Sequence, residues 1–247
     1  VVFVPASAIV TGMVLSAMPV GDYDKRLVIL TKELGKISAF AKGARRPNSA
    51  LLACSQPFSF GEFTLFAGKS SYNITSAEIS NYFSELREDI DSVYYGLYFC
   101  EFVDYITKEN NDEKEILKLL YQTLRAVAKK TIELSLIRLV FEFKIMALSG
   151  VAPQVFECVK CQKKKDNYVF SVNHGGLLCE QCQAYDNASV KLSTSSIYTL
   201  QYIISRDVVN LYTFRVSKEV LDELKACVKR YLDHYLNHEF KSVELLH

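Results

Sequence analysis

The sequence predicts an α+β, multidomain protein: a small five-stranded β-barrel, then an α-helical domain interrupted by a four-cysteine ribbon. Three observations predict it. Five β-rich runs separated by Gly-bearing turns fill the first part of the chain. From Ser92 onward, apolar residues recur at steps of three and four, the stripe of amphipathic helices. Between two such helical stretches lie two C-x-x-C pairs, separated by 17 residues. The expected boundaries are 1–80 for the barrel, 81–155 for the first helical part, 156–190 for the four-cysteine module and 191–247 for the second helical part.

The strands are expected in order. Ala8–Ser16 is β-rich, and Gly12 within it marks a bulge or close bend. Pro19–Asp22 is a turn. Lys25–Thr31 follows, Lys32–Gly35 reverses the chain, and Lys36–Lys42 alternates as a third strand. Gly43–Ser49 breaks the pattern. Phe58–Phe66 is an aromatic strand, Ala67–Ser70 a turn, and Tyr72–Ile79 completes the set. Short strands with glycine turns suit a barrel of the OB-fold type, with an SH3-like barrel as the alternative.

The first helical stripe is Val93, Tyr94, Leu97, Tyr98, Phe102 and Tyr105. Asn110-Asn111-Asp112 interrupts it, and Ile116, Leu117, Leu120, Leu124 and Val127 carry a second helix. A third runs from Ile132 to Ser149, stopped by Gly150 and Pro153. Beyond the cysteines, Ser193 caps a helix over Ile197 and Leu200. Ser217 opens a last one over Leu221, Leu224, Val228 and Tyr231. His234 and His238, four apart on that helix, read as surface histidines.

Cys158, Cys161, Cys179 and Cys182 have the spacing of a zinc site. Each C-x-x-C turn presents two sulfurs, and two such turns complete a tetrahedron with Zn–S near ~2.3 Å. Tyr168–Val172 reads as a ribbon strand and His174-Gly175-Gly176 as its turn. Four thiolates leave no open coordination position, so one structural Zn2+ is expected. Lys160, Lys163, Lys164 and Lys165 offset its negative shell. Redox dithiols and disulfides are the other readings of the pattern.

Hydrophobic residues make up 49% of the chain, enough for a packed core. The net charge is +1, but it is unevenly distributed. Residues 1–80 carry eight basic and five acidic side chains, whereas 81–157 carry nine and thirteen. Of the seven cysteines, Cys54, Cys100 and Cys227 sit in apolar surroundings, which suits a reducing compartment. No apolar run approaches the ~18 residues of a membrane span. Val1–Pro5 lacks the charged start of a secretory leader. The expected location is the cytoplasm. The G-x-x-x-x-G-K-[ST], H-E-x-x-H and G-x-S-x-G patterns are absent, and no enzyme is expected. Gly21-Asp22-Tyr23-Asp24 reads as a turn rather than an acid/base pair.

The basic residues of the barrel are the main functional candidates. Lys42-Gly43-Ala44-Arg45-Arg46-Pro47 lies at a strand end, and two adjacent guanidiniums can fork onto phosphate oxygens. Lys25 and Arg26 follow a turn holding Tyr23, and Phe40 lies one strand on. Cationic grooves with aromatic stacking surfaces are how barrels hold single strands. A solvated loop over core aromatics is the alternative. The acidic, Tyr-rich helical segment is either a solvated face or a docking surface for partners.

Taken together, these residues resemble the bacterial RecO family of recombination mediators. The likeness rests on Gly21-Asp22-Tyr23-Asp24-Lys25, Leu27–Thr31, Gly35-Lys36, Ala41–Ser49, Gln56-Pro57-Phe58 and Leu86-Arg87-Glu88-Asp89. It continues through Gly150-Val151-Ala152-Pro153 ahead of Cys158 and Cys161, Phe170-Ser171, Gly175–Cys179, Cys182 and Lys241-Ser242. The resemblance implies an OB-fold, a helical domain and a zinc module. It also implies binding of single- and double-stranded DNA, annealing of complementary strands, and loading of recombinase onto strands coated by single-strand-binding protein. Implied partners are RecR and the C-terminal tail of single-strand-binding protein, with no membrane, in a nucleoid-associated setting. Two positions depart from the family pattern: Asp22 stands for the usual Glu. Gln162 replaces a glycine, which predicts a less tightly turned knuckle.

Overall fold

The computed structural model describes residues 7–68, 71–165 and 167–246. Val1–Pro5 lies outside them, as do Lys69 and Ser70 of the turn expected at 67–70. The backbone divides into two compact units, one of Val1–Ala128 with Phe240–His247 and the other of Lys129–Glu239.

The first unit is built on a closed barrel of β1 (Ser7–Val20), β2 (Asp24–Thr31), β3 (Gly35–Ala41), β4 (Phe60–Ala67) and β5 (Tyr72–Asn81). The strand order is β1-β2-β3-β5-β4, closed by β1 against β4, and β3 meets β5 in parallel. This Greek-key closure is the OB-fold. Val10, Val14, Leu27, Ile29, Ile37, Ala39, Phe63, Leu65 and Ile74 fill its interior.

β1 runs on through the turn expected at Pro19. It pairs with β4 only as far as Met13, and beyond that with β2 alone. Pro19 therefore has an open flank where its missing N–H costs no ladder bond. The reversal falls instead at Gly21, with φ +55°. The register slips between Val14 and Ser16, so the inward set changes from Val10 and Val14 to Ala17. Met13 and Leu15, on the opposite side of β1, are also buried, and α1 (Ile90–Ile106) packs against this strand.

Gly12 stands opposite Gly61, and at both positions neighbouring backbone leaves no room for a side chain. A Cβ on Gly61 would lie 2.2 Å from the Glu78 carbonyl oxygen and 2.7 Å from the Ile79 Cα. Gly61→Ala should therefore destabilise the barrel by about 2 kcal/mol or more, read as a lower denaturant midpoint. A midpoint equal to wild type would show that the two strands can separate at no cost. β4 begins later than the sequence suggests, because Phe58 takes φ +73° and buries its ring over Gly96.

Helices α1 and α2 (Lys114–Lys129) complete this unit. Asp89 caps α1 by accepting from the Ser92 N–H. The returning C-terminal segment places Phe240 against Phe102, ring centroids 4.5 Å apart, and Glu101 accepts from the backbone N–H groups of Lys241 and Ser242. An ion pair of 3.0 Å joins Lys36 on β3 to Asp104 on α1.

The second unit contains α3 (Leu134–Leu148), the ribbon strands β6 (Tyr168–Ser171), β7 (Gly176–Cys179) and β8 (Val190–Lys191), then α4 (Thr194–Ser205) and α5 (Lys218–Tyr235). Ser193 and Ser217 cap α4 and α5 through their side chains, as their sequence positions predict. α5 ends at Tyr235, so His238 lies beyond the helix and shares no face with His234. Ribbon and helix are tied together: Tyr231 donates to the Val151 carbonyl at 3.1 Å, and the Phe170 and Tyr231 rings are 5.9 Å apart. Among the described residues, no helix is long and apolar enough to cross a membrane.

Candidate nucleic-acid interface and metal centre

The four ribbon cysteines converge. Their Sγ atoms all lie within 4.8 Å of one another, close enough to hold one metal ion. Among the described residues it is the only such group of three or more potential ligands. Cys161 and Cys179, from different knuckles, stand 3.8 Å apart at sulfur. That matches the edge of a tetrahedron with metal–sulfur bonds of ~2.3 Å and is far from a ~2.05 Å disulfide. All seven cysteines are free thiols, and the four here meet at one point rather than as separate dithiols.

Local backbone geometry builds this site. In the first knuckle the Gln162 N–H reaches the Cys158 carbonyl at 2.8 Å, and the Cys158 N–H reaches the Lys163 carbonyl at 3.1 Å. Gln162 adopts φ +56°, so the turn is kept tight despite the missing glycine. The less tightly turned knuckle expected from that substitution does not form. The backbone accepts a left-handed residue, at ~1–2 kcal/mol, because both flanking hydrogen bonds hold it. In the second knuckle the Cys182 N–H closes on the Cys179 carbonyl at 2.8 Å.

The thiols differ in character. Burial raises the pKa of Cys158, but the backbone N–H groups of Cys161, Cys179 and Lys160 outweigh it and bring the thiol to about 6. Cys182 is pushed up to about 12, first by burial and then by the neighbouring sulfurs. A cation at the centre of the four sulfurs would relieve the repulsion that helps raise Cys182.

Beside this site stands a Ser-His-Asp grouping. Ser171 Oγ lies 3.1 Å from His174 Nδ1 and donates to Asp186 at 2.5 Å. Ser171 is fully buried and its proton goes to the carboxylate rather than the imidazole, so this is a turn staple and not a nucleophile. Asp186, its carboxyl held below the usual range chiefly by Ser171, also accepts from Asn173 and the Ala188 N–H.

On the barrel, two loops lock together. The Asp24 carboxylate accepts from the Gly43 N–H at 2.7 Å, and the Arg45 N–H donates to the Tyr23 carbonyl at 2.8 Å. Gly43, at φ +67°, turns the chain off β3 so that Lys42, Arg45 and Arg46 are all exposed. The Arg45 guanidinium donates to the Gly21 carbonyl at 3.1 Å, and that of Arg46 lies 5.0 Å from the centroid of the Tyr23 ring, which is 52% exposed. Among the described residues neither guanidinium meets a carboxylate within ion-pair distance.

The remaining barrel candidates are placed differently. Lys25 and Arg26 are neighbours on a strand and face opposite sides. Lys25 shares the inward side with Leu27 and donates its ammonium to the Ser55 carbonyl at 2.9 Å. Burial, then the nearby Arg45 charge, lowers its pKa. Arg26 points outward beside its register partner Phe40 and donates to Ser38 Oγ at 2.8 Å. The sequence reading missed Asp24 as the residue that fixes the cationic loop. Its partner lies 19 positions away, and no local pattern announces the bond.

A closed OB barrel with a cationic loop, a set of helices and a ribbon converging four thiols define a class of multidomain OB-fold proteins with a metal-type module. Family comparison makes the class particular. The model described as "Recombination protein O N terminal" matches residues 7–83, and "Recombination protein O C terminal" matches 87–244. The chain belongs to the RecO family. It is 37% identical to the DNA repair protein RecO of Alkaliphilus metalliredigens, over 95% of this chain and 96% of the relative. It is 33% identical to that of Acetivibrio thermocellus, over 96% and 94%. The family is named for DNA repair and not for a catalysed reaction.

Proposed function

We propose that this chain binds single- and double-stranded DNA, anneals complementary strands and helps load recombinase onto strands coated by single-strand-binding protein. The observation that carries the reading is the loop Lys42–Arg46 seated on the Tyr23 hairpin, with two guanidiniums that meet no carboxylate among the described residues. Two phosphate backbones repel, and a fixed cationic surface lowers that cost without breaking a bond. Arginine forks match phosphate oxygens, and Tyr23 gives a base a stacking face beside them. Arg26 and Phe40 extend the surface along the outer wall, while Lys25 braces it from within. Membership of a DNA repair family supports the same reading, and on that basis RecR and the tail of single-strand-binding protein are the partners.

The chemistry of the donor set favours one structural Zn2+ held by Cys158, Cys161, Cys179 and Cys182. When bound, the ion ties two knuckles together and takes no part in a reaction. A strand-annealing assay tests the central claim: the full chain should speed pairing of complementary oligonucleotides, and a rate equal to the protein-free control would overturn it. A second reading is a docking adaptor whose acidic helical segment, with Tyr82, Ile90 and Tyr105 exposed, recruits repair partners and makes DNA contact incidental. Capture of RecR by a chain that does not bind DNA would favour that alternative.

A further inference from the structure

We propose that the loop Lys160–Lys165 of the four-cysteine ribbon is a second DNA contact, gripping a phosphate backbone independently of the barrel. The inference rests on the DNA-binding reading above and extends it to the other unit. Lys160, Lys163, Lys164 and Lys165 are all exposed. Among the described residues none of their ammoniums meets a carboxylate within ion-pair distance, although Glu157 and Glu180 belong to the same module. Partial neutralisation of a metal–thiolate shell accounts for about two of the four charges, since four thiolates around a divalent ion carry a net −2. The rest face solvent.

The loop is also held in shape, which lowers the entropy lost on binding. The Cys158 N–H fixes the Lys163 carbonyl at 3.1 Å, and the Lys165 N–H donates to the Tyr168 hydroxyl at 2.7 Å. Beside it Tyr185 is 62% exposed, with the Lys160 ammonium 4.7 Å from its ring centroid. Cations interleaved with an exposed aromatic ring make a backbone-tracking, base-stacking surface. A protein that brings two strands together needs two places to hold them, and the barrel and ribbon belong to different units.

The test compares full-length variants for single-stranded oligonucleotide binding across a salt series, with metal content and melting temperature as fold controls. Lys163→Gln/Lys164→Gln/Lys165→Gln should flatten the slope of log K against log salt by roughly 1–2, and weaken binding roughly ten- to a hundredfold at low salt. A charge-matched variant on α5, Lys225→Gln/Lys229→Gln/Arg230→Gln, should change neither. Equal losses in both variants would reduce the effect to net charge and overturn the proposal. So would a ribbon variant with wild-type slope while Arg45→Gln/Arg46→Gln loses binding, and that result would leave the barrel reading standing. No binding by the wild-type chain would overturn both.

Discussion

Cys179→Ser should cost the second unit at least about 4 kcal/mol, the range reached when a mutation removes a metal or leaves a buried group unpaired. Cys179 is buried, it ends β7, and its N–H donates to the Cys158 sulfur at 3.4 Å. Losing it would remove one of the four converging sulfurs, and with it the proposed metal's hold on both knuckles. The damage then spreads through the ribbon's own ties. Val159 N–H to Leu177 O, at 2.8 Å, and Gln154 N–H to Gly175 O, at 2.9 Å, zip the first knuckle to the hairpin. Phe170 and Tyr231 carry the loss into α5. Thermal melting with zinc analysis checks this: wild type should hold one zinc per chain, and the variant should hold less and melt earlier. Because the barrel belongs to the other unit, its share of the DNA affinity should persist in the variant, while the share proposed for the Lys160–Lys165 loop should fall as the knuckle loosens. A metal-free variant with an unchanged melting temperature would show that the sulfurs pack without an ion.

Arg45→Gln/Arg46→Gln should weaken single-strand binding and flatten its salt dependence. Every phosphate left without its arginine takes roughly 0.7 off the slope of log K against log salt, so two such phosphates take off roughly 1.4. Stability should change little, because both side chains are exposed and the loop is held by backbone groups and Asp24. Asp24→Asn gives a useful contrast. It keeps both arginines and an oxygen acceptor for Gly43, so its slope should stay close to wild type. Titrations by fluorescence anisotropy at several salt concentrations read all three. A double variant with an unchanged slope would remove this loop from the interface.

Much of the architecture was legible because local chemistry encodes it. Ser193 and Ser217 are small polar residues just ahead of apolar helical stripes, and each accepts the expected N–H. The cysteine spacing brought four sulfurs together because tight turns leave little choice of geometry. Other features depend on atoms far apart in the chain. Pro19 reads as a turn until β4 is seen to stop short of it. Phe58 reads as a strand residue until Gly96 provides the pocket for its ring. Lys25 reads as a partner of Arg26, but strand alternation turns it toward the Ser55 carbonyl. Gln162 reads as a looser knuckle, yet two hydrogen bonds hold it in a glycine-like conformation.

From residue order alone came the barrel, the helices, the four converging cysteines and the family, since turn residues, apolar periods and ligand spacing act over a few positions. Tertiary structure decided which cations stand together. Arg45 and Arg46 reach Tyr23 only because Asp24 draws Gly43 across the end of the barrel. It also decided the division of the helices between two units, because an apolar stripe demands burial without naming the surface that supplies it.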